Sequence, residues 1–339
     1  MSPSTDKETD RKFPIIFRVA FVVMLTLVLI LMAEVGLRLF GPNLGTIRDL
    51  VEATDDPRPY VLKANNTIRF EGLHVSLAEP VTWVINDQGI RADRSIPPYS
   101  DKFRVTTYGD SETFGWSVDY DDTFQRQMET IDGDIEVINF GVPGYNVTNV
   151  ADTIELTALT YHPDLIIYLI HKNDFDDPLE AGEVVANSSL LRLIKFAYYI
   201  WIDKPREKKL RSSPARMERF VREIDHITQF CDRNNIPLVF AFLKWQNRQA
   251  MIEYTAANRG SASGLGTHQQ AWGLPRHLNV HQIITDDEKM DSHFTKDSYR
   301  KIARFLCAAI SGTQNSGCLP SGWQPHNGRL DQQSSANQN

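Results

Sequence analysis

The sequence predicts an α/β fold: a three-layer α/β/α domain built on a mostly parallel sheet of about five strands, preceded by one transmembrane helix. Two observations predict the domain. Apolar runs of strand length alternate with helical stretches from Phe103 to Ile310, and the polar residues able to do chemistry stand just after the strands. Such alternation means right-handed βαβ units and a sheet covered on both faces. A third observation, the apolar run Phe13 to Ala33, predicts the membrane helix. A chain of 339 residues with 42% hydrophobic content can bury a full core. Its net charge of −7 gives no whole-molecule case for a nucleic-acid partner.

Only Pro14, Arg18 and Thr26 interrupt the first apolar run, and about 20 residues of helix cross a ~30 Å hydrocarbon core. Lys7, Arg11, Lys12 and Arg18 flank or enter its start. By the positive-inside rule they keep residues 1–12 cytoplasmic and export the chain beyond Phe40. No clean small-x-small site precedes Glu34, and the apolar pattern continues to Arg38. Residues 13–40 therefore read as an uncleaved anchor of the inner membrane rather than a signal peptide. Residues 41–59 read as a polar linker with a solvated acidic stretch. Residues 60–100 read as an extension laid on the core, with Val81 to Ile85 its best strand and Asn86-Asp87-Gln88-Gly89 the turn that ends it.

The domain proper runs within 60–311. Phe103 to Thr107 is a strand that ends in Tyr108-Gly109-Asp110-Ser111. A glycine there lets the backbone turn sharply and sets Ser111 at the rim of the sheet, where open α/β folds bind ligands. By itself Gly-Asp-Ser is equally a turn with a capping serine. Asp121-Asp122-Thr123 caps a helix through Ile131. Then come a strand at Ile135 to Phe140, a helix at Val147 to Tyr161 and a strand at Asp164 to Ile170. Met217 to Asn235 is an amphipathic helix, Ile236 to Leu243 an apolar strand, Asn279 to Ile284 the last strand and Lys296 to Ile310 the closing helix.

Within the insertion 178–216, Leu190 to Ile202 is apolar and aromatic and is followed by Lys204, Arg206, Lys208, Lys209 and Arg211. It reads as a packed helix, a lid, or a helix at a membrane surface. Residues 312–339, rich in Gln, Ser, Asn and Gly, read as a disordered tail. The three cysteines, Cys231, Cys307 and Cys318, form no CxxC pair and no metal-ligand spacing; Cys307 and Cys318 can pair in an oxidising compartment. No metal or cofactor motif stands out, since Ser261 to Gly266 follows no clear strand and lacks the Lys-Ser/Thr of a phosphate loop.

Three further polar groups follow strands: Asn139 to Asn146 with Gly141 and Gly144, His171-Lys172-Asn173-Asp174, and Met290-Asp291-Ser292-His293-Phe294. With Ser111 they gather a hydroxyl, glycine N–H groups, an amide, an imidazole and a carboxylate at one sheet edge. That is the inventory of acyl transfer.

GDSETFG, NFGVPGYN, HKND and DSHFTKDSYRKIA stand in the order of the four blocks of the SGNH (GDSL-like) hydrolase superfamily, which the chain resembles over most of Phe103 to Ile310. Phe114-Gly115-Trp116-Ser117-Val118, Asp122-Thr123-Phe124 and Asn86 to Arg91 look like its membrane-anchored bacterial branch, some of whose members belong to polysaccharide acetylation systems. The resemblance implies a flavodoxin-like sheet, Ser111 as nucleophile, His293 as general base and Asp291 as the group orienting it. It also implies an oxyanion hole of Ser111 N–H, Gly144 N–H and the Asn173 side chain. Trp116 and His171 become candidate substrate-binding residues, because His171 stands where the third block usually has glycine and is thereby free to line the pocket. The last block usually has two residues between Asp and His where this chain has Ser292 alone, so Asp286, Asp287 or a backbone carbonyl remain alternatives to Asp291. The implied activity is an extracytoplasmic serine esterase acting on a small acyl ester, an O-acetyl group on a glycan first. The alternatives are an O-acyltransferase with the same acyl-serine and a non-catalytic glycan-binding protein.

Overall fold

The computed structural model describes residues 15–40, 49–70, 80–177, 188–198, 201–202, 213–243, 272–284, 289–290, 293–312 and 317–324. The N-terminal helix α1 spans Ile15–Phe40 and has no buried residue. By length and composition it is long and apolar enough to cross a membrane, with a mean hydropathy of 2.9 over an 18-residue window. Two small antiparallel ladders come next. Strand β1 (Val51–Glu52) pairs with β2 (Val61–Leu62), and β3 (Asn66–Phe70) pairs with β4 (Val81–Ile85).

The core sheet has five parallel strands: β5 (Phe103–Gly109), β6 (Ile135–Gly141), β7 (Leu165–Ile170), β8 (Leu238–Phe242) and β9 (His277–Asn279), in the order β6-β5-β7-β8-β9. This is the doubly wound order 2-1-3-4-5 that the resemblance implied. Alternation within the strands supplies both faces. In β7, Ile166, Tyr168 and Ile170 join one apolar cluster while Leu165, Ile167 and Leu169 join the other. Helices α4 (Val147–Tyr161) and α6 (Pro214–Arg233) cover the first face, and α3 (Phe124–Ile131) and α7 (Lys296–Ser311) the second. The sheet is thus buried on both sides, as near-continuous apolar strands require. The short helix α2 (Ser111–Phe114) follows β5, α5 (Ser189–Tyr198) comes between β7 and α6 in sequence, and β10 (Lys289–Met290) and β11 (His293–Phe294) form a two-residue ladder before α7.

Local signals set the helix starts. Thr123 accepts from Arg126 N at the start of α3 and Thr295 from Ser298 N at the start of α7. Asn146 forms a capping box with Asn149 on α4.

Three expectations are corrected. The last strand lies at His277–Asn279, not Asn279 to Ile284; Val280–Ile283 is a 3-10 turn. Val280 and Ile284 are both buried against the same cluster, a helical spacing that an apolar run does not distinguish from a strand. The linker reading fails at Leu50 and Val51, which are fully buried, with Val51 in β1. The disordered-tail reading fails over 317–324. Cys318 is disulfide-bonded to Cys307, its N–H donates to Asp132 Oδ2 at 2.8 Å, and Trp323 packs edge-on to Phe103. A cross-link and two apolar residues, Leu319 and Trp323, outweigh the polar composition there. Cys231 is a buried thiol pushed up to about 12 by burial.

Candidate active site

In the order β6-β5-β7 the chain leaves β5 to one side and returns to its other side, so the carboxyl end of β5 is the topological switch point of the sheet. Ser111 is the second residue after β5. Gly109 is required by close approach: at φ 151° a Cβ would collide with Thr113 Oγ1 and lie 2.9 Å from Leu169 O. The chain then turns into α2, with Asp110 as its cap accepting from Glu112 N at 2.8 Å.

His293, on β11 next to α7, meets the serine across the rim. Its Nε2 is 3.0 Å from Ser111 Oγ. The Trp116 ring lies against the imidazole at 28° and 5.9 Å between centroids, and Trp116 is itself buried. The His293 backbone is held through its neighbour. Phe294 N donates to Glu112 Oε2 at 3.3 Å, and Ser117 Oγ donates to Phe294 O. Tyr299 OH donates to Glu112 O at 2.9 Å and also reaches Glu112 Oε2.

The other two loops converge on the same edge. After β6, Val142-Pro143-Gly144-Tyr145 forms a turn closed by Tyr145 N on Val142 O at 3.2 Å. Gly144 takes φ 86°, a left-handed conformation that any side chain would strain. Tyr60, from the extension, donates its hydroxyl to Pro143 O at 2.9 Å and accepts on its own carbonyl from Tyr145 OH. After β7, Asn173 Nδ2 donates to Tyr145 O at 3.1 Å, joining this loop to the previous one.

Ser111, Gly144, Asn173 and His293 are each partly exposed, whereas Asp110, Glu112, Tyr145, Asp174 and Phe294 beside them are buried. The edge thus carries four of the residues that the sequence singled out, on a floor of buried and mostly polar residues. His171 does not line an opening: it is buried, with Nδ1 3.0 Å from both Asp110 Oδ2 and Asn173 Oδ1. Its place is behind the rim, tying the cap of α2 to the Asn173 amide. Asp291, and the alternatives Asp286 and Asp287, lie outside the described residues.

Charge in the floor is divided. Burial works to raise Asp110, but the facing His171, its hydrogen bond and Glu112 N outweigh it, so the carboxyl sits below its ordinary range. Asp174 accepts from Tyr168 OH and, at 2.6 Å, from His171 N. Burial and the nearby Asp110 push it well above the ordinary carboxylate range. The two neighbouring buried acids are thus pushed in opposite directions, Asp110 down and Asp174 up.

Several residues that matter here were not singled out by sequence. Arg91, fully buried and pushed down to about 9 by burial, donates to the carbonyls of Phe114, Gly115 and Val118 at 2.6 to 2.8 Å. It stacks over the Phe114 ring. Arg91 thereby shapes the segment that carries Trp116 and Ser117. Its signal was a cation closing the Asn86 to Arg91 motif; Glu112 had none beyond following Ser111.

No protein-family model and no curated protein matches this chain. Among solved structures it is similar to a member of the lipolytic G-D-S-L family from Veillonella parvula, at 12% identity over 61% of this chain and 98% of that one, TM-score 0.40. A GDSL-like lipase from Bacteroides thetaiotaomicron matches at 13% identity over 64% and 92%, TM-score 0.38. A carbohydrate acetylesterase family member from Sinorhizobium meliloti matches at 14% over 62% and 98%, TM-score 0.36. Likenesses this distant leave the functional reading to the geometry of the site.

Proposed function

We propose that this chain is a membrane-anchored serine esterase that acts outside the cytoplasm on a small acyl ester, with Ser111 as nucleophile and His293 as general base. The observation that carries the reading is the 3.0 Å approach of His293 Nε2 to Ser111 Oγ at the switch point of the sheet. Serine is a poor nucleophile until a neutral imidazole takes its proton. His293 Nε2 removes the proton as Oγ attacks the ester carbonyl carbon. The carbonyl oxygen becomes an oxyanion, met by Ser111 N–H, Gly144 N–H and the Asn173 amide. The intermediate collapses by breaking the bond to the alcohol oxygen, which leaves with the proton from the imidazolium. Acyl-serine remains, and a water deprotonated by His293 repeats the sequence to release the acid. Asp291 is the proposed partner that holds the His293 tautomer, and Trp116 forms the wall behind the imidazole. Donors aimed at charge that exists only near the tetrahedral state lower the barrier by about 2.7 to 4 kcal/mol each.

The preferred substrate is an O-acetyl group on a glycan. Its support is the resemblance of the Asn86 to Arg91 and Phe114 to Phe124 motifs to the polysaccharide-acetylating branch, and an exported site at the membrane surface. The test is a wild-type and Ser111→Ala pair incubated with p-nitrophenyl acetate, with and without an acceptor glycan, following nitrophenol release and glycan mass. Ser111-dependent release that the glycan leaves unchanged is expected. Acetyl appearing on the glycan would make the acceptor a sugar hydroxyl and the enzyme a transferase. No release in either case, with glycan binding retained in both proteins, would make it a binding protein.

A further inference from the structure

Outside α1, the exposed large hydrophobic residues among those described are Leu156 and Leu159 on α4 and five in one short stretch: Leu191, Ile194, Tyr198, Trp201 and Ile202. Positions 191, 194 and 198 are spaced three and four apart, so in α5 they share one face. Trp201 and Ile202 come three and four residues later, with Trp201 81% exposed. A concentration of this kind marks a surface that something apolar covers.

The covering phase is indicated by where α5 is attached. Glu34, near the carboxyl end of α1, accepts from Ser188 Oγ and from Leu190 N, both at 2.9 Å on Oε2, while Oε1 accepts from Arg38 at 2.7 Å. The carboxylate of the apolar helix thus caps the start of α5. At 1.5 Å per residue, about 20 residues from Ile15 take the helix across a ~30 Å core, which ends near Glu34. The cap therefore lies at the outer edge of the hydrocarbon, and α5 begins there. An aromatic and aliphatic helix face at that depth is suited to the interface, where Trp and Tyr are enriched. The sequence beyond Ile202 continues with Lys204, Arg206, Lys208, Lys209 and Arg211, a composition attracted by anionic headgroups.

We infer that α5 and Trp201 form a second membrane contact, lying in the outer headgroup region of the bilayer that α1 crosses, with Glu34 as the joint between the two. This rests on the anchor reading of α1 and extends it: the catalytic domain is held against the surface at two places rather than swinging on one tether. Such a contact restricts the orientations of the Ser111 rim and favours esters presented close to the membrane.

The test uses the full chain in nanodiscs containing anionic lipid, with a nitroxide placed in turn at Val28→Cys, Ile194→Cys, Trp201→Cys and Arg222→Cys. Collision with oxygen and with a water-soluble nickel chelate is measured at each. Positions 194 and 201 are expected to resemble 28, with nickel access several-fold below that at 222, and oxygen access above it. Equal nickel access at 201 and 222 would overturn the inference, and so would shielding of 194 and 201 from both relaxers, which would indicate a protein cover. If 28 is itself open to nickel, or α1 is missing from the mature chain by intact mass, the anchor reading fails and takes this one with it. Failure at 194 and 201 with 28 buried in lipid removes this inference alone. As a check on the joint, Glu34→Ala is expected to raise hydrogen exchange at the Leu190 amide, and Glu34→Gln, which keeps an acceptor oxygen, to raise it less. Unchanged exchange in Glu34→Ala would overturn the role of Glu34.

Discussion

The two halves of the candidate dyad are built differently. Ser111 leaves the fully buried interior strand β5, with neighbours on both sides in register from Val105 to Tyr108. His293 sits on a two-residue strand, and its backbone is fixed through Phe294 by Glu112 and Ser117, both of which belong to the serine's own segment. Ser111 inherits its position from the sheet. His293 is positioned by the serine's neighbours, so precision passes from one half to the other through a few polar contacts. That arrangement predicts large chemical losses at either reacting group and graded losses at the contacts between them.

The largest effect is expected at the reacting groups. Ser111→Ala or His293→Ala should each lower kcat by on the order of 10^6, with Asp291→Ala leaving a residue of activity at a loss of roughly 10^4. Esterase assays on folded, purified variants check this, and full activity in His293→Ala would break the pairing. Asn173→Ala should cost about 10^2- to 10^3-fold in kcat with KM little changed, the pattern of a donor used only near the tetrahedral state.

The Cys307–Cys318 bond closes a loop of separation 11 behind α7. Removing it with Cys307→Ala should cost about 3 kcal/mol of stability by loop-closure entropy. Urea unfolding measures that loss, and kcat below the transition should stay unchanged if the bond acts on α7 as a whole rather than on His293. Glu112→Ala should lower kcat about tenfold, equal to roughly 1.4 kcal/mol for one lost buried hydrogen bond. Tyr299 keeps its bond to the Glu112 carbonyl, so the melting temperature should move less than the rate. Glu112→Gln, which retains an acceptor for Phe294 N, should recover most of the loss.

The smallest effect is a slope. Asp174 is raised in the folded state, so the folded protein binds the extra proton. Stability is then lost as pH rises from the unfolded carboxylate value through the folded one. Asp110 is lowered, so its contribution is present above the unfolded value and is lost as pH falls through the folded one. Asp174→Asn should flatten the first trend and leave the second. Unfolding free energies across acidic to neutral pH read both, and an unchanged slope would show that folding does not raise Asp174.

The same contrast governs how much of the molecule was legible in its sequence. Strands β4 to β8, the helix through Ile131 and the serine turn were readable because each rests on a local period or a cap residue: Val81 to Ile85, Val147 to Tyr161 and the Thr123 cap agree with the structure. The last strand was misplaced because Val280, Ile283 and Ile284 span too few residues for a period to decide between strand and helical turn. Leu50, Val51 and Trp323 were assigned to linker and tail because their burial comes from distant partners, which no window of composition contains. The four partly exposed site residues were legible as types that follow strands. The floor beneath them was not: His171 on Asp110, Glu112 on Phe294 and Arg91 on three carbonyls are contacts between residues 23 to 182 positions apart.

The central claim, that Ser111 is an acyl-accepting nucleophile activated by His293, is tested most directly by covalent trapping. Wild type, Ser111→Ala and His293→Ala would be treated with a fluorophosphonate and the modified peptide located by mass spectrometry. The account predicts a single adduct on the peptide containing Ser111 in wild type, none in Ser111→Ala, and labelling slowed by orders of magnitude in His293→Ala. An adduct on another residue, or labelling of Ser111 at the wild-type rate without His293, would contradict it.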